Sequence, residues 1–334
     1  MTRLESLEAC ELCGRNPFEG DYLFSSDGFD LERCPSCGLV ATNPRPTREA
    51  ISRYYPKTYY AYRPDPLGWG SQIQGMILEN LGGYPAASKR PLMVRIAVRA
   101  LSALLGSHIS YVLPYTERKG KLLDIGCGSG HFLSSARSLG WDTYGVEIDP
   151  GAAHLAIENG HTVAVGCGEE LDYPGRFFDA VTLLQVLEHC HSPMNALLEC
   201  RRVIKPTGVL IVSTPNFACG DREMFLDTWR NLDCPNHLFH FTPDTLVPML
   251  ANAGFKTNRV AYKALFCSPG SRESFRRLRE KLRSGHGLRT RLPKLSRAFL
   301  WVYLLKPLQM ALTWSDKVLW AQFITTYATP DTST

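Results

Sequence analysis

The sequence lacks the features of a secreted or membrane-spanning protein. Its first 20 residues hold four glutamates and no apolar run, so they do not resemble a secretory signal peptide. No uncharged apolar stretch reaches the roughly 20 residues that a transmembrane helix needs. Internal repeats are also lacking, which excludes the repeat architectures. With 44% hydrophobic and 21% charged residues, the composition is that of an ordinary globular protein, and we expect a cytoplasmic one.

The cysteines follow a metal-site pattern rather than a disulfide pattern. Their number, 11, is odd, and no secretory signal accompanies them, so a disulfide framework is disfavoured. Cys10 and Cys13, like Cys34 and Cys37, are separated by two residues, which is the spacing of a zinc site made from two knuckles. We predict a structural zinc ion here, because four thiolates leave no open coordination position. Incidental burial and a redox pair are the alternatives.

Positive charge is concentrated in one segment. Residues 271–297 hold ten Lys or Arg against two Glu, a local charge of +8, which leaves −3 of the total +5 for the rest of the chain. An aromatic-rich apolar run, 298–314, follows directly. Together, residues 271–314 predict either peripheral contact with anionic lipid at the inner membrane face or a core-packing helix beside a solvated charged one. No nucleic-acid-binding module accompanies the charge, so we expect no nucleic-acid partner.

The chain divides on composition into three parts. Residues 1–45 are predicted to form the zinc ribbon, 46–118 a Tyr/Pro-rich linker with lid helices, and 119–334 the main domain, with the basic and aromatic insert at 264–314. Short apolar runs alternate with helical stretches from 119 to 262, which indicates βαβ units and a mostly parallel sheet. The predicted strands are 121–125, 143–148, 161–165, 178–184, 209–213, 255–262 and 318–327.

A glycine-rich turn connects the first of these strands to a helix. Residues 122–130 read Leu-Leu-Asp-Ile-Gly-Cys-Gly-Ser-Gly, with three glycines at alternate positions. Glycines there allow positive φ and the close approach of a ligand, and the helix N-terminus offers free N–H groups. Asp124 precedes the turn, where a carboxylate can hold an ammonium group. Glu147 ends the next strand, where a carboxylate can accept both hydroxyls of a ribose.

This segment resembles the class I S-adenosylmethionine-dependent methyltransferases, over about residues 119–262. The run 122–130 matches the first motif of that family and 144–150 its second, while 177–181, 187–189 and 201–208 are similar to its later motifs. The resemblance implies a Rossmann-like α/β fold, a doubly wound seven-stranded sheet preceded here by the small ribbon. It implies S-adenosylmethionine as the cofactor, with Asp124, Gly126 and Gly128 on the methionine part and Glu147 on the ribose.

The rest of the predicted cofactor site follows from the same resemblance. Many relatives place an acidic residue after the third strand to hold the adenine amino group, but this chain has Cys167 there. We therefore expect adenine recognition from the backbone of Gly168 or from Glu169. The predicted set is completed by further residues of the turn and of the strand ends: Cys127, Gly130, Ile148 and Gln185.

The N-terminal part extends the resemblance to about residues 10–62. It is similar to a subgroup of methyltransferases with an N-terminal zinc ribbon, which includes sugar C-methyltransferases, and the chain also resembles ubiquinone-pathway O-methyltransferases. This implies a small acceptor, sugar-linked or lipid-linked. These 334 residues show no counterpart of the long C-terminal domain of the sugar enzymes, so we do not expect their substrate to carry over. The resemblance also does not predict which atom is methylated.

Three histidines are candidates for a catalytic base. Methyl transfer to a hydroxyl or carbon acid requires removal of a proton, and histidine is the usual base near neutral pH. His189 follows the strand 178–184, at the sheet edge where ligands bind in α/β folds. His237 and His240 lie in a segment that resembles the substrate-side loop of the ribbon subgroup, and His237 is our preferred base. The alternative for each is a packing or capping role.

The sequence leaves two rival functions open. A nicotinamide-dependent oxidoreductase would also use a glycine-rich turn, but its usual spacing is GxGxxG rather than the GxGxG found here. A non-catalytic zinc-ribbon binding protein could keep the fold without the reaction. Asp124, Gly126, Gly128 and Glu147 together favour a functional cofactor site.

Overall fold

The computed structural model describes residues 3–16, 18–55, 76, 79, 84–85, 89–105, 113, 120–264, 269–284, 300 and 321–332. The chain forms two compact units, each assembled from segments far apart in sequence. The ribbon unit comprises residues 1–54, 214–248 and 261–324, and the sheet unit comprises 55–213, 249–260 and 325–334.

The elements are numbered in chain order. The strands are β1 Leu4–Glu5, β2 Asp21–Ser26, β3 Phe29–Arg33, β4 Val40–Thr42, β5 Arg45–Pro46, β6 Lys121–Ile125, β7 Asp142–Glu147, β8 Thr162–Val165, β9 Phe178–Leu184, β10 Ile204–Pro215, β11 Phe239–His240, β12 Phe255–Ala264 and β13 Ala321–Pro330. The α-helices are α1 Leu92–Leu105, α2 His131–Ser138, α3 Pro150–Glu158, α4 Pro193–Val203, α5 Gly220–Phe225, α6 Pro243–Asn252 and α7 Pro269–Ser284.

A seven-stranded sheet forms the main framework, in the order β12-β13-β10-β9-β6-β7-β8. The five strands from β10 to β8 pair in parallel. Parallel strands of this kind need crossover connections, which the intervening helices α2, α3 and α4 supply. The predicted α/β fold with a doubly wound, seven-stranded sheet is confirmed. Because the central strands are parallel, their carboxyl ends lie at one edge of the sheet.

Local signals set the helix starts. Asp149 caps α3, where its side chain accepts a hydrogen bond from Ala152 N at 2.7 Å, and Pro150 occupies the first turn. Ser192 caps α4 in the same way, again with a proline at the first helical position. These caps satisfy N–H groups that would otherwise lack partners at the helix ends.

A second, four-stranded sheet lies in the ribbon unit, in the order β11-β4-β3-β2. Strands β2, β3 and β4 form an antiparallel meander near the N-terminus. Strand β11 comes from a segment about 200 residues later and pairs antiparallel with β4, with Phe239 opposite Ala41 and His240 opposite Val40. The sequence did not predict this pairing.

Each unit has its own hydrophobic core. In the ribbon unit, Trp229 and Phe217 are buried with Leu31 and Val40, and Phe275 of α7 packs against this cluster. In the sheet unit the core lies under the main sheet; its buried members are Leu113, Leu122, Cys127, Phe132, Leu133, Ala136, Trp141, Ala180 and Ile211. The burial of each large apolar side chain stabilises the folded state by about 1.5–3 kcal/mol.

Two strands have boundaries that differ by more than two residues from those predicted. Residues 205–208 were expected as a turn, but β10 begins at Ile204, and a register shift between Ile204 and Val209 accommodates the extra residues as a bulge. The last strand was expected at 318–327 and is observed at Ala321–Pro330. Apart from residue 300, the aromatic run 298–314 lies outside the described residues, and so do residues 285–297 of the basic segment and residues 56–62 of the tyrosine-rich loop. Within the described residues, no helix has the length and apolarity to cross a bilayer. The division at 45 and 118 stays a prediction.

Candidate active site

The glycine turn after β6 has a backbone that only glycine adopts readily. Gly126, Gly128 and Gly130 have φ values of +71°, +54° and +86°, in the region that side chains disfavour. A Cβ atom added at Gly126 would lie 2.4 Å from Cγ2 of Val186. The amides of Gly126 and Cys127 both donate to the carbonyl of Val146, at 2.7 and 3.2 Å. The turn is therefore held against β7 and kept free of side chains on its ligand side.

Asp124 is a buried carboxyl directly before this turn. It is 3% exposed, and its Oδ1 accepts a hydrogen bond from Thr182 Oγ1 at 2.6 Å. Burial raises the pKa of Asp124 to about 7, and the charge of Glu147 adds to this, while the bond from Thr182 opposes it. A carboxyl in this state gains most from a ligand that brings a positive charge.

Glu147 ends β7 and is also buried, at 6% exposure. Its Oε2 accepts from Gly128 N at 2.8 Å, and its Oε1 accepts from Asp149 N at 2.9 Å. Burial raises the pKa of Glu147, although these backbone donors oppose the rise. The Glu147 carboxylate thus ties the glycine turn to the end of the neighbouring strand, and its remaining lone pairs can accept hydroxyl groups.

The other predicted cofactor residues surround this pair in different ways. The side chain of Cys127 is buried in the core, so only its backbone can reach a ligand. Ile148 is 66% exposed, an apolar surface directly after the Glu147 carboxylate. A Cβ at Gly168 would lie 2.6 Å from Ile125 Cγ2, so close packing on β6 requires glycine there.

Two more of the predicted cofactor residues, Glu169 and Gln185, form hydrogen bonds with the backbone of neighbouring segments. Glu169 is buried, and its Oε1 accepts a bond from Ser192 N at 3.2 Å, at the start of α4. Gln185 follows β9 and has a φ of +62°. Its backbone N–H donates to the carbonyl oxygen of Ser213 at 2.8 Å. A non-glycine residue in this region carries strain, and such residues cluster at functional sites.

Comparison with known proteins agrees with this geometry. Residues 98–260 match the model of the family described as "Methyltransferase domain". A ubiquinone biosynthesis O-methyltransferase of Cereibacter sphaeroides is 30% identical over 187 residues, which are 51% of this chain and 73% of that protein. This chain belongs to the class I S-adenosylmethionine-dependent methyltransferases.

The match to other members of the family is shorter. A malonyl-[acyl-carrier protein] O-methyltransferase of Serratia marcescens is 30% identical over 129 residues, 38% of this chain and 50% of that protein. The chain spans 41–50% of the first curated relatives it matches. Among solved structures, a methyltransferase of Thermotoga maritima covers 76% of this chain and 99% of its own, with 20% identity and a TM-score of 0.44.

Of the three histidines predicted as candidate bases, His189 lies in the sheet unit. It follows β9 in a short 3-10 helix, Leu187–His189. Its Nδ1 lies 2.9 Å from the hydroxyl of Tyr55, and the two rings stand 6.1 Å apart. A tyrosine hydroxyl can donate or accept, so this bond leaves the tautomer of His189 open.

The ribbon unit offers His237 and His240. His237 is 8% exposed, and its Nδ1 lies 2.9 Å from the carbonyl oxygen of Asn231. A carbonyl only accepts, so Nδ1 carries the proton and Nε2 is the acceptor. Burial lowers the pKa of His237 to about 4. Burial, with a further contribution from His237, also holds the pKa of His240 well below its usual value. Both shifts favour the neutral form of the imidazole.

The four predicted metal ligands come together in the ribbon unit. One thiol atom from each cysteine lies within 4.8 Å of the others, and the Sγ pairs Cys10–Cys37 and Cys13–Cys34 are 3.5 and 3.7 Å apart. Tetrahedral zinc with Zn–S bonds of about 2.3 Å places sulfurs about 3.8 Å apart. Burial raises the pKa of Cys10 to about 11 and also raises the pKa of Cys37. At Cys34, the amides of Ser36 and Cys37 and the neighbouring thiols outweigh burial and lower the pKa to about 7. The donor set fits zinc.

Three contact residues escaped the sequence-based prediction. Thr182 faces Asp124 because β9 and β6 pair in register, with Asp124 opposite Thr182. Tyr55 contacts His189, which lies 134 residues away in the sequence, and Asn231 contacts His237, which lies 6 residues away. The tyrosine-rich composition around Tyr55 was a signal, but it named no single residue. For Thr182 the signal would have been strand register, which one sequence does not reveal.

Proposed function

We propose that this protein transfers the methyl group of S-adenosylmethionine to a hydroxyl of a small acceptor. The observation that carries the proposal is the pair of buried carboxyls, Asp124 and Glu147, on either side of a turn with three positive-φ glycines. When bound, S-adenosylmethionine supplies an electrophilic methyl group on its sulfonium. Asp124 would hold the ammonium group, Glu147 the ribose hydroxyls, and the glycines would let the ligand approach the backbone.

His237 is the proposed base. Methyl transfer is an in-line displacement, so the protein mainly orients the acceptor and removes its proton. Asn231 fixes the tautomer in which Nδ1 of His237 carries the proton and Nε2 is the acceptor nitrogen. An imidazole with a pKa of about 4 is a weak base. It suffices here because the hydroxyl proton becomes strongly acidic as the new C–O bond forms.

His189 is the alternative base, supported by its bond to Tyr55. The two candidates differ in what fixes their rings. His237 has a carbonyl that dictates the proton position, whereas His189 has a hydroxyl that does not. Replacing each histidine by alanine separates them: loss of turnover in His237→Ala with retention in His189→Ala supports the assignment, and the reverse result assigns His189.

An oxygen acceptor is supported by the names of the relatives, since the ubiquinone-biosynthesis and malonyl-[acyl-carrier protein] enzymes are both O-methyltransferases. A sugar-linked or lipid-linked acceptor remains our proposal for its class. The four-cysteine cluster would hold a structural zinc ion, because its geometry and donor set fit that metal.

The proposed lipid contact through 271–314 competes with a packing role. In α7, Arg276 pairs with Glu273 at 2.6 Å and with Glu280 at 3.0 Å. Part of the positive charge of α7 is therefore balanced within the helix. Phe275 and Leu278 of the same helix pack on the ribbon-unit core. These contacts support the packing alternative for α7. Liposome co-sedimentation tests it: binding to anionic vesicles at low salt would favour the lipid alternative.

Calorimetry is the first test of the proposed function. S-adenosylhomocysteine should bind the purified protein and NAD should not. Asp124→Asn should weaken binding, whereas Asp142→Asn, an exposed acid at the start of β7, should leave it unchanged. Incubation with cell extracts and S-adenosylmethionine should then yield a product about 14 daltons heavier. Binding of NAD alone would favour an oxidoreductase, and binding without any turnover a non-catalytic protein.

A further inference from the structure

The ribbon unit connects the cysteine cluster to the proposed base through one continuous hydrogen-bonded path. Cys34 directly follows β3, and β4 begins three residues after Cys37. The second knuckle is therefore the turn of the β3–β4 hairpin. In it Gly38 N donates to Cys34 O, and Cys34 N donates to Leu39 O, both at 2.8 Å. A metal bound to Cys34 and Cys37 would fix the geometry of that hairpin.

Strand β4 in turn holds the segment that carries both buried histidines. Its residues Val40 and Ala41 pair with β11, opposite His240 and Phe239. At the end of β4, Thr42 N donates to Leu238 O at 3.0 Å. Its side-chain Oγ1 donates to the carbonyl of His237 at 2.8 Å. Thr42 is fully buried, so this bond is shielded from water.

The same segment holds a buried ring nitrogen whose hydrogen-bonding capacity is unused among the described residues. His240 is 4% exposed and lines a small pocket with His237 and the rings of Phe217, Trp229 and Phe239. Its Nε2 has no hydrogen-bond partner among the described residues. Buried polar atoms are almost always paired, so an orphan in an aromatic pocket indicates a group that a ligand completes. This observation is independent of the path from the cysteines.

We propose that the metal-bound hairpin positions the acceptor-side histidines, with Thr42 as the positioning residue for His237. The inference rests on the proposed function only for the role of His237 as the base. It predicts that metal occupancy controls acceptor chemistry, while the cofactor residues Asp124 and Glu147, which lie in the sheet unit, bind independently of it. The zinc ribbon then contributes to the acceptor site by positioning its histidines.

The decisive variant is Thr42→Val, which keeps the shape of the side chain and removes the donor to His237. Thr42→Ser restores that donor. Thr228→Val is the matched control, because Thr228 is also buried in the ribbon unit and its Oγ1 donates to the carbonyl of Phe225 at 2.7 Å. Both valine variants lose one buried hydroxyl bond, so their stabilities should fall by similar amounts.

Three readouts apply to these variants of the full chain. In Thr42→Val, kcat should fall about tenfold or more, since a misplaced catalytic group costs factors of this size. The imidazole NMR signals of His237 should shift, and the affinity for S-adenosylhomocysteine should stay within about twofold. Thr42→Ser should restore kcat and the signals. Equal losses of kcat in Thr42→Val and Thr228→Val would overturn the positioning role.

Metal removal tests the other end of the path. Zinc release by Cys13→Ser, or by a thiol reagent with a chelator, should shift the signals of His237 and His240 and leave S-adenosylhomocysteine binding intact. Unchanged histidine signals on metal loss would refute the proposal. Failure of the wild type to bind S-adenosylhomocysteine would refute the proposed function instead. The NMR result does not depend on catalysis, so the two failures are distinguishable.

Discussion

Replacing Asp124 by asparagine should stabilise the unliganded protein at neutral pH while weakening its binding of the cofactor. Asp124 is buried, and its pKa is raised from 3.8 to about 7, first by burial and then by the charge of Glu147. Asparagine has the same shape and keeps an oxygen to accept the bond from Thr182 Oγ1, but it carries no charge. The folded protein then no longer holds a buried charge that the unfolded chain exposes to water.

The magnitude follows from the two pKa values of Asp124. Below the unfolded value, both states are protonated and the carboxyl costs nothing. Between pH 4 and 7 the unfolded state loses its proton first, so the stability of the wild type declines, and above pH 7 it is level. At about 1.36 kcal/mol per pH unit between the two values, the loss is about 2 kcal/mol at pH 5 and about 4 kcal/mol at pH 8. These are upper limits for the gain in Asp124→Asn.

Urea denaturation of wild type and variant at pH 5 and pH 8 measures this difference. Effects of pH on the cysteine cluster are common to both proteins and cancel. The variant should be more stable at both values, and its advantage should be larger at pH 8. A variant equal to or less stable than wild type at pH 8 would refute the argument that Asp124 is held at an energetic cost.

Cofactor binding should move in the opposite direction. A lost charge-assisted contact is worth about 1.5–3 kcal/mol, so Asp124→Asn should bind S-adenosylhomocysteine roughly 10- to 100-fold more weakly. In the wild type, the affinity for S-adenosylhomocysteine should rise about tenfold between pH 6 and pH 8. The ammonium group of the ligand prefers the ionised carboxylate, so binding at low pH must release the proton of Asp124. The variant reports the titration of the ligand alone. Equal pH dependence in both proteins would remove Asp124 from the ammonium site.

Three further substitutions test the site. Gly126→Ala adds a Cβ at 2.4 Å from a valine side chain and should lose cofactor binding. Gly140→Ala is the control: its φ is +94° and nothing lies within 4 Å of the added Cβ, so it should lower the stability by about 1 kcal/mol and leave binding intact. Equal calorimetric affinities of the two variants would contradict this. Glu147→Gln should bind S-adenosylhomocysteine at least about tenfold more weakly, because one of its two backbone N–H donors loses its acceptor; unchanged affinity would exclude the ribose role. Tyr55→Phe removes the hydroxyl partner of His189 and should change kcat less than about threefold; a larger loss in steady-state assays would favour His189 as the base.

Local patterns in the sequence predicted much of the fold. Alternating apolar runs and helical stretches predicted the parallel sheet, and the Ser192-Pro193 pair predicted the start of α4. The glycine turn was predictable for the same reason: positive φ at alternate positions restricts the residue type whatever the surroundings. The expected turn at 205–208 was wrong because a bulge in β10 depends on how that strand pairs with β9, and this is not a local property.

The glycine turn and the cysteine cluster could thus be predicted from the sequence, since each depends on residue types at short, fixed spacings. Only the tertiary structure decided what surrounds them. Burial makes Asp124 a group of altered acidity, and strand register supplies Thr182 as its donor. The pairing of β11 with β4 joins residues about 200 positions apart and brings His237 to the ribbon. Such contacts depend on the packing of the whole chain, which no short spacing encodes.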